Sequence, residues 1–218
     1  MVYSQWKSQK KFWDNVEKRR SPTHPVVNEF TTSNINYIRR HVEISDKMKI
    51  LDVGCGNGYF TYYFALLADT IGLDFSENML LMHPHNKLVR GDAYKLPFKD
   101  DEFDIVFCSA LLHHLDNIDY ALDEFRRVSK NYVILLEPNR NNPLMLLFSL
   151  AKKEERAAIK FSMNYLLNKV KSRNLRIIDY CSRGFIFPNQ TPVFILPLFR
   201  LLNFKFPLGI SNVIISKK

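Results

Sequence analysis

Three glycines at alternate positions, Gly54, Gly56 and Gly58, follow the run Ile50-Leu51-Asp52-Val53, and a second run, Ile71-Gly72-Leu73, ends on Asp74-Phe75. Glycine lets a chain turn sharply out of a strand. Lacking Cβ, it also lets a ligand lie against backbone N–H groups at the start of the next helix. A carboxylate where the second strand ends can accept two hydrogen bonds from a ribose diol, so together these features describe a nucleotide site across a β-α-β unit. The dinucleotide fingerprint places glycine at the first, third and sixth positions, whereas the sixth residue counted from Gly54 is Tyr59. Spacing therefore argues against a nicotinamide cofactor. Cys55 and Asn57 lie inside the turn, and Cys55 reads as a small residue that fits the bend rather than as a nucleophile.

Other polar residues fall where strands should end. Gly91-Asp92-Ala93 follows the run at 87–90, and Ser109 follows Phe103–Cys108, with His113 and His114 just beyond. A histidine there can serve as general base for a phenol or enol, or can cap the loop. His83-Pro84-His85 lacks a third ligand at a recognisable spacing, so no metal site is expected. Cys55, Cys108 and Cys181 are too far apart to suggest a disulfide framework.

The elements that must position these residues alternate. Strands are expected at 49–53, 70–74, 87–90, 103–108 and 132–137, with helices at 58–67, 77–82 and 118–127 between them. Such alternation means a mainly parallel sheet covered by helices on both faces, with ligands at the carboxyl ends of the strands. Asp52, Asp74, Asp92 and Ser109 would meet there. Upstream, helices at 5–20 and 33–42 form a cap, separated by a loop holding Pro22 and Pro25. Tyr3, Trp6, Phe12 and Trp13 give the first an aromatic face. Downstream, Leu144, Leu147, Phe148 and Ala151 suggest a helix. Ser162 suits the N-cap of another, and Asn174 supplies a left-handed stop before a strand at 175–181. The Pro188–Pro207 segment reads as a short core-packing helix with loops, with a membrane contact as the less favoured alternative.

Taken with Asp52, the Gly54-Cys55-Gly56-Asn57-Gly58 turn resembles motif I of the class I S-adenosylmethionine-dependent methyltransferases. Gly91-Asp92-Ala93 with Leu96-Pro97-Phe98, then Phe103–Leu115, then Tyr132–Asn139 follow in that family's order, closest to its small-molecule subgroup (methyltransferase type 11, with quinone and sterol methylases). The resemblance implies an α/β, Rossmann-like doubly wound fold. Its seven-stranded sheet would be mainly parallel with an antiparallel edge strand formed by 210–216, in a three-layer sandwich. Residues 1–218 would form one domain: cap 1–44, cofactor core 45–140 and acceptor side 141–218. It also implies S-adenosylmethionine as cofactor, held by Asp52, Gly54, Cys55, Gly56, Asn57, Gly58, Asp74, Phe75, Gly91, Asp92, Ala93 and Ser109, with His113 or His114 as candidate catalytic base. The Leu-Lys-Pro-Gly-Gly turn usual before strand five is reduced here to Val128-Ser129-Lys130-Asn131.

The chain carries +9 overall, divided as +5 over 1–49, −6 over 50–136 and +10 over 137–218. An acidic core between basic flanks suits a small hydrophobic or anionic acceptor, met by apolar bulk in 188–207 and by Arg156, Arg183 or Arg200. It also suits contact with a membrane surface or a lipid precursor. A tRNA methyltransferase is the main alternative, disfavoured because the chain lacks the Asn/Asp-Pro-Pro-Tyr sequence of base-amine methylases and a Pro-Cys nucleophile; a non-catalytic cofactor-binding partner subunit is another. The charged N-terminus has no apolar signal core, and no apolar run reaches the ~20 residues of a membrane helix, so a cytoplasmic protein is expected. The oligomeric state is left open.

Overall fold

The structure, a computed structural model, describes residues 4–202 and 204–218, with side chains described from Ser8 onward. The helices are α1 (Ser4–Asp14), α2 (Pro25–Ile38), α3 (Thr61–Phe64), α4 (Glu77–Leu81), α5 (Ile118–Val128), α6 (Pro143–Ala151), α7 (Met163–Lys171) and α8 (Leu196–Leu201). The strands are β1 (Lys49–Val53), β2 (Asp69–Asp74), β3 (Leu88–Arg90), β4 (Phe103–Ser109), β5 (Ser129–Pro138), β6 (Arg176–Arg183) and β7 (Ser211–Lys217).

One seven-stranded sheet runs in the order β3-β2-β1-β4-β5-β7-β6. Its strands are parallel except β7, which runs antiparallel between β5 and the outermost strand β6. The antiparallel pairing expected at that edge is therefore present. The central strands read as unbroken apolar runs because both faces are buried. Leu51, Val53, Val106, Cys108, Val133 and Leu135 join α5 and α7 in one core. Ile50, Ile105, Phe107, Ile134 and Leu136 join α2 and α3 in the other. Val53 lies opposite both Leu73 and Cys108, so β1, β2 and β4 end level. The strand order reverses between β1 and β4, which opens a crevice beyond their carboxyl ends.

Local signals account for several helices. Asn117 accepts the Asp119 N–H to start α5, whose Ile118, Ala121, Leu122, Phe125 and Val128 form one buried stripe. Ser162 caps α7 through Tyr165 N–H, and Asn174 takes the left-handed conformation (φ 55°) that ends the segment. Elsewhere the structure differs from the sequence expectation. Pro25 does not prolong a loop but opens α2 at its first turn, with His24 as N-cap, so the helix expected at 33–42 covers Pro25–Ile38. Helix α1 stops at Asp14 rather than continuing to 20, which frees Arg19 and Arg20 to reach other elements. The helix expected at 58–67 shrinks to Thr61–Phe64, because Gly58 (φ 91°) still belongs to the turn.

The 188–207 segment is not mainly core. Leu196 is buried, but Phe194 is 82% exposed and Leu198, Leu201 and Phe204 are at least half exposed. In α6 the buried residues are Met145 and Ser149, while Leu144, Leu147 and Leu150 face solvent. Tyr3 lies outside the described residues, as does the Trp6 side chain; Phe12 is exposed. No helix among the described residues is long and apolar enough to cross a membrane.

Candidate cofactor and acceptor site

The glycine turn is tied to the end of β2, since the Gly54 and Cys55 N–H groups both donate to the Leu73 carbonyl, at 2.7 and 3.0 Å. All three glycines have positive φ, yet their surroundings differ. A Cβ at Gly54 would come within 2.9 Å of Leu111, and one at Gly58 within 2.7 Å of the His83 ring. At Gly56 the nearest atom would be the Arg19 Nη1, at 3.7 Å. Gly54 and Gly58 therefore serve packing, and Gly56 is the point where backbone opens on the crevice.

Two carboxylates flank that opening. Asp74 accepts from Gly56 N–H at 2.8 Å and Ser76 N–H at 2.9 Å, so the carboxylate also holds the turn in place. Burial raises its pKa, against these hydrogen bonds and the nearby Arg19 charge. Asp52 accepts from the Thr61 hydroxyl at 2.6 Å. Burial pushes its pKa up to about 7, opposed by the Thr61 hydrogen bond and reinforced by the Asp74 charge. Such a pair in a cavity favours cationic groups.

The loop after β4 is organised by Glu137, at the end of β5. One of its oxygens accepts the Leu111 and Leu112 N–H groups at 3.0 and 2.8 Å; the other lies 2.8 Å from His113 Nδ1. The opposite ring nitrogen, His113 Nε2, lies 3.1 Å from a Glu155 oxygen. Burial alone would lower the His113 pKa, but its bonds to Glu137 and Glu155 outweigh that and raise it to about 9. His113 thus holds a proton near neutral pH and has no lone pair to offer as a base. His114 is the reverse case, lowered to about 3 by burial and by the adjacent His113 charge, and its buried Nδ1 has no hydrogen-bond partner among the described residues.

A cavity of about 220 Å³ unites these groups. Of the residues expected from sequence, Asp52, Gly54, Cys55, Gly56, Asn57, Asp74, Phe75, Ser109, His113 and His114 line it. Gly58, Gly91, Asp92 and Ala93 do not: Gly58 packs on His83, Asp92 accepts the Tyr94 N–H at 2.9 Å, and Ala93 sits in the core with Leu96. Arg183 and Arg200, expected to meet an acceptor anion, have partners elsewhere. Arg183 donates to the Ser33 carbonyl and Asn34 Oδ1, and Arg200 pairs with Glu29 at 2.6 Å.

Sequence reasoning missed several lining residues. Arg19 lies over the rings of Tyr59 and Trp13, at 5.0 and 5.3 Å from their centroids. Trp13 meets the His114 ring edge-on, and Gln9 donates to the Glu154 carbonyl at 2.8 Å, so α1 covers the histidines. Arg20 donates to the Pro188 and Thr191 carbonyls, and Asn57 donates to the Arg20 carbonyl. Tyr59 hydrogen-bonds Asn189. Glu155, Met145, Phe148 and Phe187 complete the far side. The Lys18-Arg19-Arg20 run was the one visible hint of a role for Arg19.

These features fit S-adenosylmethionine. The turn opens at Gly56, where only the tip of one flexible side chain stands, and the two buried carboxylates suit a ligand carrying a sulfonium and an ammonium.

Known proteins are similar in both sequence and fold. Residues 51–136 match the model of the methyltransferase domain family. A demethylmenaquinone methyltransferase of Streptomyces avermitilis is 40% identical over 98 residues, covering 43% of this chain and 42% of that protein. The enzyme of the same name from Staphylococcus aureus is 34% identical over 116 residues, 47% of this chain and 48% of that protein. The matches thus span less than half the length of these two relatives. A solved structure from Thermotoga maritima, described as an S-adenosylmethionine-dependent methyltransferase and possible histamine N-methyltransferase, superposes with a TM-score of 0.68 at 18% identity. That superposition covers 99% of this chain and 98% of the other. The glycine turn, β1 to β5 and the Glu137-anchored loop thus fall within or beside a stretch similar to the methyltransferase domain family, on a fold shared with a solved S-adenosylmethionine-dependent methyltransferase.

Proposed function

We propose that the protein transfers a methyl group from S-adenosylmethionine to a small acceptor, hydrophobic or anionic in character. The observation that carries this reading is a single cavity lined by two kinds of group. We assign the cofactor half to the Gly56 opening with Asp52 and Asp74, and the acceptor half to the apolar Leu136, Met145, Phe148 and Phe187. The demethylmenaquinone methyltransferase relatives support a quinone-like ring as acceptor class.

When bound, the cofactor supplies an electrophilic methyl group on a cationic sulfur. Asp74 would take the ribose hydroxyls, and Asp52 and Gly54 the amino-acid end. The remaining task of the chain is to align acceptor and methyl group and exclude water, which needs no catalytic triad. Trp13 and Gln9 of α1 supply the cover, and His113 and His114 are the polar groups proposed to meet the reacting end of the acceptor. The exposed leucines of α6 and α8, with Phe194 and Phe204 flanking α8, are consistent with an acceptor drawn from a lipid phase.

Calorimetry with S-adenosylmethionine, S-adenosylhomocysteine and NADH tests the cofactor. Transfer of labelled methyl to a reduced naphthoquinone, with mixed tRNA in parallel, tests the acceptor. Binding of NADH alone would overturn the cofactor. Salt-sensitive tRNA binding with methyl incorporation would move the reading to a tRNA methyltransferase. Cofactor binding without transfer to any acceptor would favour a partner subunit.

A further inference from the structure

We propose that His113, His114 and Glu155 form a binding site for one divalent transition-metal ion at the acceptor end of the cavity. The three come from two separate stretches, the 3-10 turn Leu112–His114 after β4 and the 3-10 segment Lys153–Lys160 after α6. Each offers one ligand atom, and these atoms all lie within 4.8 Å of one another.

Proton placement makes the cluster a ligand set. One Glu137 oxygen already accepts two backbone N–H groups, so this carboxylate is an acceptor throughout, and its other oxygen, 2.8 Å from His113 Nδ1, keeps a proton on that nitrogen. His113 Nε2 then faces a Glu155 oxygen 3.1 Å away, and the second ring proton, held there while no other cation is present, is the one a metal ion would replace. Two lone-pair atoms at that separation need a cation between them. Ligands ~2.1 Å from one ion, at angles between octahedral and tetrahedral, stand about 3.0–3.4 Å apart. The 3.1 Å spacing falls in that range.

A proton can also bridge Nε2 and Glu155. One observation favours a metal ion. His114, 5% exposed, has an Nδ1 without a partner among the described residues, which a proton between His113 and Glu155 leaves unused and a metal ion would engage. Glu137 also supplies the outer carboxylate that orients metal-bound histidines. Two imidazoles and one carboxylate suit zinc or ferrous iron rather than magnesium or calcium. All three ligands line the cavity, so a remaining coordination position would face it. The binding claim is independent of the methyltransferase reading; only the use of the ion, polarising an acceptor oxygen, rests on it.

The test uses tag-free protein stripped with chelator and titrated with Zn²⁺ or Co²⁺, without cofactor or acceptor. One equivalent should bind at micromolar or tighter affinity, with visible d–d absorption for Co²⁺. His114→Ala and Glu155→Gln should each weaken binding at least tenfold, while His83→Ala leaves it unchanged. Anomalous scattering from Co²⁺-soaked crystals of the unsubstituted protein should place the ion between the three side chains, whether or not the variants fold. Absence of stoichiometric binding, or an ion at His83 and His85 instead, overturns the proposal and indicates a proton bridge. S-adenosylhomocysteine calorimetry on the same stripped protein separates that result from a failure of the methyltransferase reading.

Discussion

Replacing Asp52 with asparagine should stabilise the cofactor-free protein above neutral pH, the reverse of what loss of a charged side chain usually does. Asp52 is 2% exposed, and burial raises its pKa from 3.8 to about 7. The folded state therefore holds this proton more tightly than the unfolded chain does. Stability from Asp52 is fully present below pH ~4, falls as pH rises toward 7, and levels off once both states are ionised. About three pKa units at ~1.4 kcal/mol each make the difference on the order of 4 kcal/mol. In a chain of this length ~1 kcal/mol moves the melting temperature by about 2–4 °C, so the effect is about 8–16 °C. The asparagine amide can still accept the Thr61 hydroxyl but has no charge to bury. Thermal melts of both proteins from pH 4.5 to 8.5 provide the assay. The difference between their curves isolates Asp52 from the other titrating groups. The curves should converge near pH 4.5 and separate progressively to about pH 7.5, the variant melting higher. Parallel curves over this range would refute the argument that Asp52 is a buried carboxylate without a compensating cation.

Glycine substitutions should divide by what each glycine faces. Gly58→Ala, with Cβ 2.7 Å from the His83 ring and φ at 91°, should destabilise the fold by about 1–3 kcal/mol, read as a fall in melting temperature. Gly56→Arg should instead abolish S-adenosylmethionine binding in calorimetry while the fold survives. Asp74→Ala should weaken cofactor affinity by about 1–3 kcal/mol. Because Asp74 also accepts two backbone N–H groups, the melting temperature should drop in the same variant, and Asp74→Asn should recover part of it. Glu137→Gln should cost about 3 kcal/mol of stability by leaving the cationic His113 with a neutral neighbour, and chemical denaturation will measure it.

The cofactor half of the cavity was legible in sequence because its determinants are local. Parallel strands buried on both faces appear as unbroken apolar runs, and the glycine turn and Asp74 lie at strand ends a reader can locate from those runs alone. Helix α2 was misplaced because proline carries two opposite meanings, a loop former or the first residue of a helix. Only the His24 cap and the burial of Val26 and Val27 decide between them. The acceptor half was far less readable. Glu155 reaches His113 across 42 residues, Tyr59 reaches Asn189 across 130, and Arg19 reaches the turn only because α1 ends early. None of these pairs leaves a periodic trace, since each is set by how α1, α6 and the 186–191 loop pack over the sheet.

That difference has a physical consequence for function. The residues proposed to bear on the cofactor sit on strand ends held by the sheet, where Gly54 and Cys55 N–H groups are clamped to Leu73 and Asp74 to Gly56. The residues proposed to bear on the acceptor sit on short elements whose outward faces are apolar and exposed, α6 with Leu144, Leu147 and Leu150, and α8 with Leu198 and Leu201. Clamped backbone positions a ligand with little freedom, while short elements with few buried contacts reorganise at small free-energy cost. Cofactor chemistry can therefore stay constant on this scaffold while acceptor choice changes through α1, α6 and α8, which lie outside the matched residues 51–136.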